Sequence, residues 1–530
     1  MAQVKIYDTT LRDGTQAESF SLSVADKVKI ALKLDDLGVH YIEGGWPGSN
    51  PRDAAFFNEI KKYKLKNAKI TAFGSTHHPA VKAENDLNLK ALVESGAKAI
   101  TIFGKTWDVH VKEALNISLE RNLELIKDSL AYLSPYADEL FFDAEHFFDG
   151  YKADSKYALA VLEKAIVGGA DCLVLCDTNG GSVPSDIREI VVKVKEKFPD
   201  ISFGIHAHND TELAVANSMT AVKLGAVQVQ GTINGIGERC GNANLSSIIP
   251  NLILKKGIEV IPKENLKKLF SVSHFVSELS NVRPNPYQPY VGHSAFSHKG
   301  GVHISAVEKN PLTYEHIDPA LVGNARKILV SDLSGRAAIS LKLSDFGINL
   351  EKTDPLAARI LTEVKAMENL GYQFEAAEAS FELLVNKILG KGKKYFDLVD
   401  YRVTDIKTGE RRAPSSEAEV KIKIGDKDEK SSGIGVGPVD ALNNALRKTL
   451  EKNYPELKSM KLIDYKVRVL PSPDGTAAKV RVLIESTDDK DYWVTVGVSV
   501  DILEASWIAL VDSFNYKLFK DIDKLPASQL

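Results

Sequence analysis

Between Val4 and Ile233 the sequence repeats one pattern eight times: a short apolar run, a polar or glycine-bearing turn, then a stretch with helical spacing. The runs are VKIYD, VHYIEGG, KITAF, AITIFG, ELFFDAE, CLVLCDT, ISFGIHAH and VQVQGTI. Segments between them, such as VADKVKIALKLDDLG and ISLERNLELIKDSLAYL, carry apolar residues at three- and four-residue intervals, which gives each helix one face to bury. Several end in a glycine just before the next run, at Gly38, Gly96, Gly169 and Gly225, the residue type that closes a helix in a left-handed turn. Regular alternation of strand and helix points to a parallel sheet in an α/β fold, and eight such units are the number that closes a (β/α)8 TIM barrel. The expected catalytic domain is residues 1–261.

A barrel of this kind gathers its reactive groups at the C-terminal ends of its strands. Arg12 and Asp13 follow the first run, Glu43 ends the second, Glu145 ends the fifth, Asp177 and Thr178 end the sixth, His206 and His208 end the seventh, and Asn234 to Asn242 follow the eighth. Alternate strand residues share a face, so His206 and His208 of GIHAHND project side by side and can chelate one ion. Two imidazoles need an anionic third ligand, and Asp13 in DTTLRDGTQ is the best candidate. Two histidines and one carboxylate leave coordination positions open for a bidentate substrate. Arg12 beside such an ion would clamp a carboxylate or a developing oxyanion. The plainer readings are a hydrogen-bonded histidine pair and an Asp13 helix cap.

GIGERCGNANL reads either as a glycine-rich turn or as a loop whose Asn242 gives a neutral oxygen to the metal. Glu238 and Arg239 pair with each other or with the barrel floor, or else touch substrate, and Cys240 reads as a small packing residue. His303 in AFSHKGGVHISA is a loop histidine whose glycine neighbours allow an acid–base role. His77 and His78, ahead of Pro79, are expected in a solvated turn.

Residues 262–390 read as mostly helical linker subdomains, interrupted by RPNPYQPY at Arg283 to Tyr290, where the prolines imply a rigid extended crossing. Residues 391–530 form a separate α+β domain in which Asp400-Tyr401-Arg402-Val403 and Asp464-Tyr465-Lys466-Val467 each open a βββα unit, a weak internal repeat. With 44% apolar residues the chain can bury a large core, and its net charge of −4 is spread with no basic stripe, which disfavours nucleic acid and anionic membrane as partners. No apolar run approaches the ~20 residues of a membrane span. The first strand begins within a few residues of Met1, too soon for a signal peptide, and Cys172, Cys176 and Cys240 are too few for a disulfide framework, so a cytoplasmic location is expected.

Taken together, YDTTLRDGTQ, YIEGGWPGSNP, CDTNGG, HAHND, GTINGIGERCGN and HKGGVH resemble the α-isopropylmalate synthase superfamily of metal-dependent Claisen enzymes, which includes homocitrate synthase, citramalate synthase and related lyases. GVGPVDALNNALRK and WVTVGVSVDILEASWIALVDS resemble its C-terminal allosteric domain, so the likeness spans essentially the whole chain. Among the branches, LRDGTQ with EGGWPGSNPRD is most similar to citramalate synthase, Thr15 standing where the synthase pattern more commonly has Glu.

The resemblance implies a divalent cation (Mg, Mn or Zn) on Asp13, His206 and His208, with Asn242 as a further ligand. It implies that Arg12 and Thr178 bind the 2-oxo acid, with Glu43 and Tyr314 also among the substrate-binding residues. Glu145 would organise acetyl-CoA or its enolate, and His303, with Tyr314 beside it, would serve the active site of the partner subunit. The implied reaction condenses acetyl-CoA with pyruvate and water to give citramalate and CoA, in isoleucine biosynthesis, in a homodimer that answers to a branched-chain amino acid, isoleucine first and leucine second. The alternatives are a 2-isopropylmalate or homocitrate synthase using another 2-oxo acid, an HMG-CoA-lyase-like carbon–carbon lyase, and a silent amino-acid sensor. A silent sensor would have no need of Arg12, Asp13 and both histidines together.

Overall fold

The first strand of the barrel hydrogen-bonds to the last, Lys5 opposite Gln228 through Asp8 opposite Gly231, and this pairing closes eight parallel strands into a cylinder. The strands run β1 Lys5–Asp8, β2 Tyr41–Gly45, β3 Lys69–Ser75, β4 Ala99–Lys105, β5 Glu139–Glu145, β6 Cys172–Asp177, β7 Phe203–Ala207 and β8 Gln228–Gly231, neighbours in sequence being neighbours in the barrel. The computed structural model describes residues 3–18, 20–329, 342–343, 348, 350, 354–374, 377–407, 414–470, 478–488 and 491–523. The chain divides into two compact units, Met1–Phe296 with His316–Arg326, and Ser297–Glu315 with Lys327–Leu530.

Strand periodicity sorts each run between helix layer and barrel interior. In β5, Leu140, Phe142 and Ala144 join the core shared with the surrounding helices, Phe141 joins a second cluster with Tyr7, Tyr41 and Val174, and Asp143 and Glu145 line a cavity at the C-terminal end. The helices are bounded as their sequences dictate. Helix Val24–Leu37 opens on a capping box in which the Ser23 hydroxyl accepts from the Asp26 N–H and the Asp26 carboxylate accepts in return. It closes at Gly38 with φ +101°, and Gly96, Gly169 and Gly225 are left-handed in the same way. Ile30, Ala31, Leu34 and Leu37 on one face of that helix are fully buried.

A buried ion pair ties this helix to the rim. Lys27, 2% exposed, lies 2.5 Å from Asp53 Oδ1 and donates to the Gly44 carbonyl, and Asp53 Oδ2 accepts the Trp46 N–H. The β2 loop that carries Trp46 is therefore fixed by one ammonium and one carboxylate.

The proline-rich segment differs from the expected crossing. Neither helix nor strand spans 283–290, as Pro284, Pro286 and Pro289, which lack an N–H donor, and the residues ahead of them dictate. Its end is folded onto the barrel unit: Tyr290, Val291 and Phe296 join the main core, and Tyr290 Oη donates to Asn251 Oδ1.

In the second unit, Ser297–His298 pairs in parallel with Lys327–Ile328, and helix Gly301–Lys309 follows the HKGG turn. Part of the expected helical region, 330–341, lies outside the described residues. Helices Pro355–Leu370 and Glu378–Ile388 lead to the expected doubled unit. Strands Asp397–Ile406, Ser415–Ile424 and Lys427–Gly435 precede helix Pro438–Asn453, and strands Lys461–Val469, Val480–Thr487 and Tyr492–Ser499 precede helix Ile502–Leu518.

The repeat reaches into irregular detail. Each first strand shifts register just before its Asp-Tyr pair, between Leu398 and Asp400 and between Leu462 and Asp464. Each third strand has a glycine where its helix presses: a Cβ on Gly433 would lie 2.4 Å from Ala445 N, and one on Gly497 2.0 Å from Ala505 O. Both halves share a single core that includes Val420, Leu446, Val482, Trp507 and Phe514. Among the described residues, no helix is long and apolar enough to cross a membrane.

Removing one partner of a buried pair strands the other charge. Lys27→Met is expected to destabilise the protein by about 3–5 kcal/mol, measured by urea unfolding. Wild-type stability in that variant would mean that the β2 loop is held without the pair.

Candidate metal centre and active site

Strand β7 carries His206, His208 follows just past its end, and the turn after β1 brings Asp13 against both. His206 Nε2 lies 3.3 Å from Asp13 Oδ2, His208 Nε2 lies 4.0 Å from the same oxygen, and the two imidazole nitrogens are 3.4 Å apart. Ligands ~2.1 Å from one cation and 90–110° apart are ~3.0–3.4 Å from each other, so the two shorter separations fit a shared divalent ion and the 4.0 Å one is wider than that geometry. All three residues are buried, at 1%, 6% and 6% exposure.

The surroundings prepare the donors. His206 Nδ1 is 2.8 Å from Gln230 Oε1, an acceptor, which places the ring proton on Nδ1 and leaves the Nε2 lone pair for a metal. Gln230 Nε2 donates in turn to Asp143 Oδ1 at 3.0 Å. Burial, reinforced by His206, pushes His208 down to about 4, the neutral form a metal requires. Burial alone would raise the Asp13 carboxyl, but Arg12 and His206 hold it well below the usual carboxylate range. Asp13 does not cap the 3-10 turn that follows it, which removes the plain helix-cap reading.

Asn242 is placed beside the group with its amide nitrogen inward, donating to Asp13 Oδ2 at 2.7 Å, while its Oδ1 is buried without a hydrogen-bond partner. Ligation through oxygen requires the amide to rotate by half a turn. The orphaned Asp13 Oδ1 and Asn242 Oδ1 and the neutral His208 together pass the test for a cation site.

Arg12 forms one wall of the 210 Å³ cavity above these residues. Its Nε donates to Glu43 Oε2 at 2.5 Å, its Nη1 is 3.5 Å from Asp13 Oδ1, and its guanidinium carbon stands 3.8 Å from the centre of the Phe73 ring. Glu43 is fully buried, with its other oxygen accepting from Tyr7 Oη, so it sits behind Arg12 and not on the cavity wall. The Thr15 hydroxyl donates to the Arg12 carbonyl at 2.6 Å and tightens the turn that presents Arg12 and Asp13.

Thr178 and Glu145 line the same cavity. The Thr178 hydroxyl accepts the His146 N–H at 2.8 Å, leaving its own proton free to donate, and Glu145 pairs with Lys105 at 2.5 Å. Arg239 grips Asp210 with two parallel bonds, at 2.7 and 2.9 Å, and donates to the Thr178 carbonyl, with Glu238 a looser 3.6 Å away. Of the readings open for Glu238 and Arg239, mutual pairing is thus secondary to a clamp across three rim loops, and both residues line the cavity. His303 and Tyr314 belong to the second unit, where their rings stack with centroids 4.0 Å apart.

Two polar groups of the site escaped the sequence reading, Asp143 on the cavity wall and Gln230 behind His206. Burial pushes Asp143 up to about 7. Both had a signal: each sits at an inward-facing position two residues from another polar residue, in DAE and VQVQ. His77, expected in a solvated turn, is 2% exposed, its N–H donating to Ser129 Oγ.

Comparison with known proteins agrees with this geometry. Residues 3–276 match the family described as HMGL-like, 290–371 the homocitrate synthase post-HMGL domain-like family, and 375–518 the LeuA allosteric (dimerisation) domain. The chain is 58% identical to (R)-citramalate synthase of Geobacter sulfurreducens, over 98% of each chain. It is 57% identical to (R)-citramalate synthase of Aquifex aeolicus, again over 98% of each. A 2-isopropylmalate synthase of Methanocaldococcus jannaschii is 34% identical, over 98% of this chain and 95% of that one.

Partners that orient a metal-binding histidine typically contribute 10–100-fold to metal affinity. Gln230→Leu should therefore weaken divalent-cation binding by about that factor, read by calorimetric metal titration. Unchanged affinity would show that His206 needs no orienting bond.

Proposed function

This chain belongs to the HMGL-like family, in the branch of the (R)-citramalate synthases, and from that premise we propose how its residues share the work. The reaction condenses acetyl-CoA with pyruvate and water to give citramalate and CoA, and the chain is an acetyl-CoA-dependent acyltransferase that uses a divalent cation. We assign the metal to Asp13, His206 and His208, with Asn242 as a fourth ligand after its amide turns. Bound there, a divalent cation supplies Lewis acidity toward the ketone of a chelated 2-oxo acid.

The protein groups do the rest. Arg12, its Nε committed to Glu43, keeps its remaining N–H edge for the ketone oxygen and stabilises the alkoxide that forms. We assign Glu43 to positioning Arg12, because both of its oxygens are already engaged. Thr178 donates its hydroxyl proton to the substrate carboxylate. A base takes one proton from the acetyl methyl group, the carbanion attacks the ketone carbon, and the alkoxide is protonated. Water then splits the thioester into carboxylate and CoA thiol. Two bases are available, Glu145 on the rim and His303 with Tyr314 on the second unit.

The observation that carries the substrate choice is the cavity itself: 210 Å³, floored by the metal group and walled by Trp46, Phe73 and Phe103. Such aromatic walls favour the methyl of pyruvate over a branched side chain, which would overpack them. We further propose residues 1–261 as the catalytic domain, 262–390 as linker subdomains and 391–530 as a regulatory domain of a cytoplasmic homodimer, with isoleucine, then leucine, as effector. The allosteric-domain match over 375–518 and its doubled βββα unit support that reading.

A CoA-release assay over a panel of 2-oxo acids is expected to give the highest kcat/KM with pyruvate, falling about 10–200-fold per added methylene. Isoleucine added to the same assay should inhibit, leucine less. Faster turnover of 2-oxoisovalerate would reassign the chain to its sibling synthases, and indifference to both amino acids would leave the C-terminal unit a purely structural one.

If His303 serves the partner's site, inactive Arg12→Ala and His303→Ala chains should complement each other. Mixed dimers then contain one intact composite site. Activity recovered on subunit exchange is the expected outcome, and its absence in verified mixed dimers would place His303 in its own subunit's chemistry.

A further inference from the structure

Between the end of β5 and the helix Phe147–Ala153 the chain has one residue in which to turn, His146. It turns at φ +57° and ψ +34°, a left-handed conformation that a residue with a Cβ adopts at a cost. Glycine and asparagine take that conformation readily, and neither stands here. Strain of this kind persists only where the surroundings over-determine it, and it gathers at functional sites.

The surroundings of His146 are specific. Its ring is buried, with its centroid 4.2 Å from that of His110 and 5.7 Å from that of Trp107. Its Nδ1 is 3.3 Å from Asp149 Oδ2, which also accepts from Asn179 Nδ2 at 3.0 Å. The Gly150 N–H donates to the His146 carbonyl, and a Cβ on Gly150 would lie 2.6 Å from the Thr106 carbonyl oxygen, so the helix is pressed against the turn after β4. What the strained turn gains is the direction of one N–H. Pairing of β5 with β6 ends at Ala144 opposite Leu175, so the His146 N–H lies beyond the ladder, and it donates to Thr178 Oγ1 at 2.8 Å. The β5 turn therefore holds the β6 loop at two successive residues, Thr178 and Asn179.

A free threonine hydroxyl rotates to suit any neighbour, but one that accepts from a fixed N–H has its own proton turned away from that donor. Thr178 lines the metal cavity. We propose that His146 is a positioning residue for the 2-oxo acid: its left-handed turn aims the backbone N–H at Thr178 Oγ1 and so fixes the hydroxyl proton toward the substrate carboxylate. The proposal rests on the role given to Thr178 above. The imidazole transfers no proton in this scheme; it holds the turn through Asp149 and the two neighbouring rings.

The test uses the full-length enzyme with a divalent cation bound. His146→Ala keeps the N–H but loses the ring and the Asp149 bond, whereas His146→Asn is at ease in the left-handed region and carries an amide donor for Asp149. His146→Ala should raise the KM for pyruvate about three- to tenfold, the scale of one hydrogen bond. KM for acetyl-CoA and kcat should stay within about twofold of wild type, since the bond to the carboxylate is made in ground state and transition state alike. His146→Asn should recover most of the loss. Asp149→Ala, at a partly exposed side chain, should raise the KM for pyruvate in the same direction, and it carries the test if His146→Ala folds poorly. In a Thr178→Val background no hydroxyl is left to orient, so adding His146→Ala should change the KM for pyruvate less than about twofold. A full further rise in that background, equal rises in KM for both substrates, or an unchanged KM for pyruvate in both His146→Ala and Asp149→Ala would overturn the proposal and leave His146 a structural turn. An unchanged KM for pyruvate in Thr178→Val alone would instead overturn the role of Thr178, and the proposal with it.

Discussion

Closure of the barrel is the constraint on which everything else hangs. Only when β1 hydrogen-bonds to β8 does the turn carrying Arg12 and Asp13 come to lie beside His206, His208 and Asn242, from the opposite end of the catalytic unit. A parallel sheet cannot be joined by tight hairpins, so each strand needs its own helical return, and loop-closure entropy must be met before the last pairing forms. The stabilisation comes from the helix layer, where residues such as Ile30, Leu34, Phe142, Leu162 and Ile205 are fully buried. The rim contributes little to that core and is free to be polar.

Inside the cylinder the polar groups form a continuous arrangement and not a scatter. Thr101 and Glu43 meet at Tyr7 Oη, Glu43 holds Arg12, Arg12 faces Asp13, Asp13 faces His206, and His206 leads through Gln230 to Asp143. Placing so many ionisable groups in one buried space would be destabilising if any were left alone, because burial disfavours each charge. Alternation of sign resolves this. Arg12 sits between two carboxylates, His206 between Asp13 and the Gln230 dipole, and burial raises the affinity for a proton of Asp143, which has no cation bonded to it.

The barrel was legible because period-two runs and helical stretches alternate without interruption, and the C-terminal doubling because Asp-Tyr recurs at the head of each half. His206 and His208 were legible because polar residues ending apolar runs have few other reasons to be there, and Asp13 because it follows the first run on the same rim. Gln230 and Asp143 were missed for a physical reason: an inward polar residue in a closed barrel looks, in one dimension, like the solvent face of a half-buried strand. His77 was misread because the Pro79 turn marks a loop without saying what covers it, and here Ser129 on a neighbouring helix does. RPNPYQPY announced irregular backbone, but which surface it lies against depends on Tyr290 and Asn251, which no local pattern relates.

The loop after β8 carries Asn234, Gly235, Arg239 and Gly241, all with positive φ, at +64°, +68°, +55° and +91°. For arginine that conformation is intrinsically unfavourable, by roughly 1 kcal/mol or more. It persists because the side chain of the same residue is clamped to Asp210 and to the Thr178 carbonyl, while Asn209 N–H holds the Gly241 carbonyl. The loop therefore behaves as a sprung catch: released from Asp210, Arg239 has a backbone reason to leave, and Asn242, three residues on, would be carried with it. The loops after β6, β7 and β8 are on that account tied to one another through a single side chain.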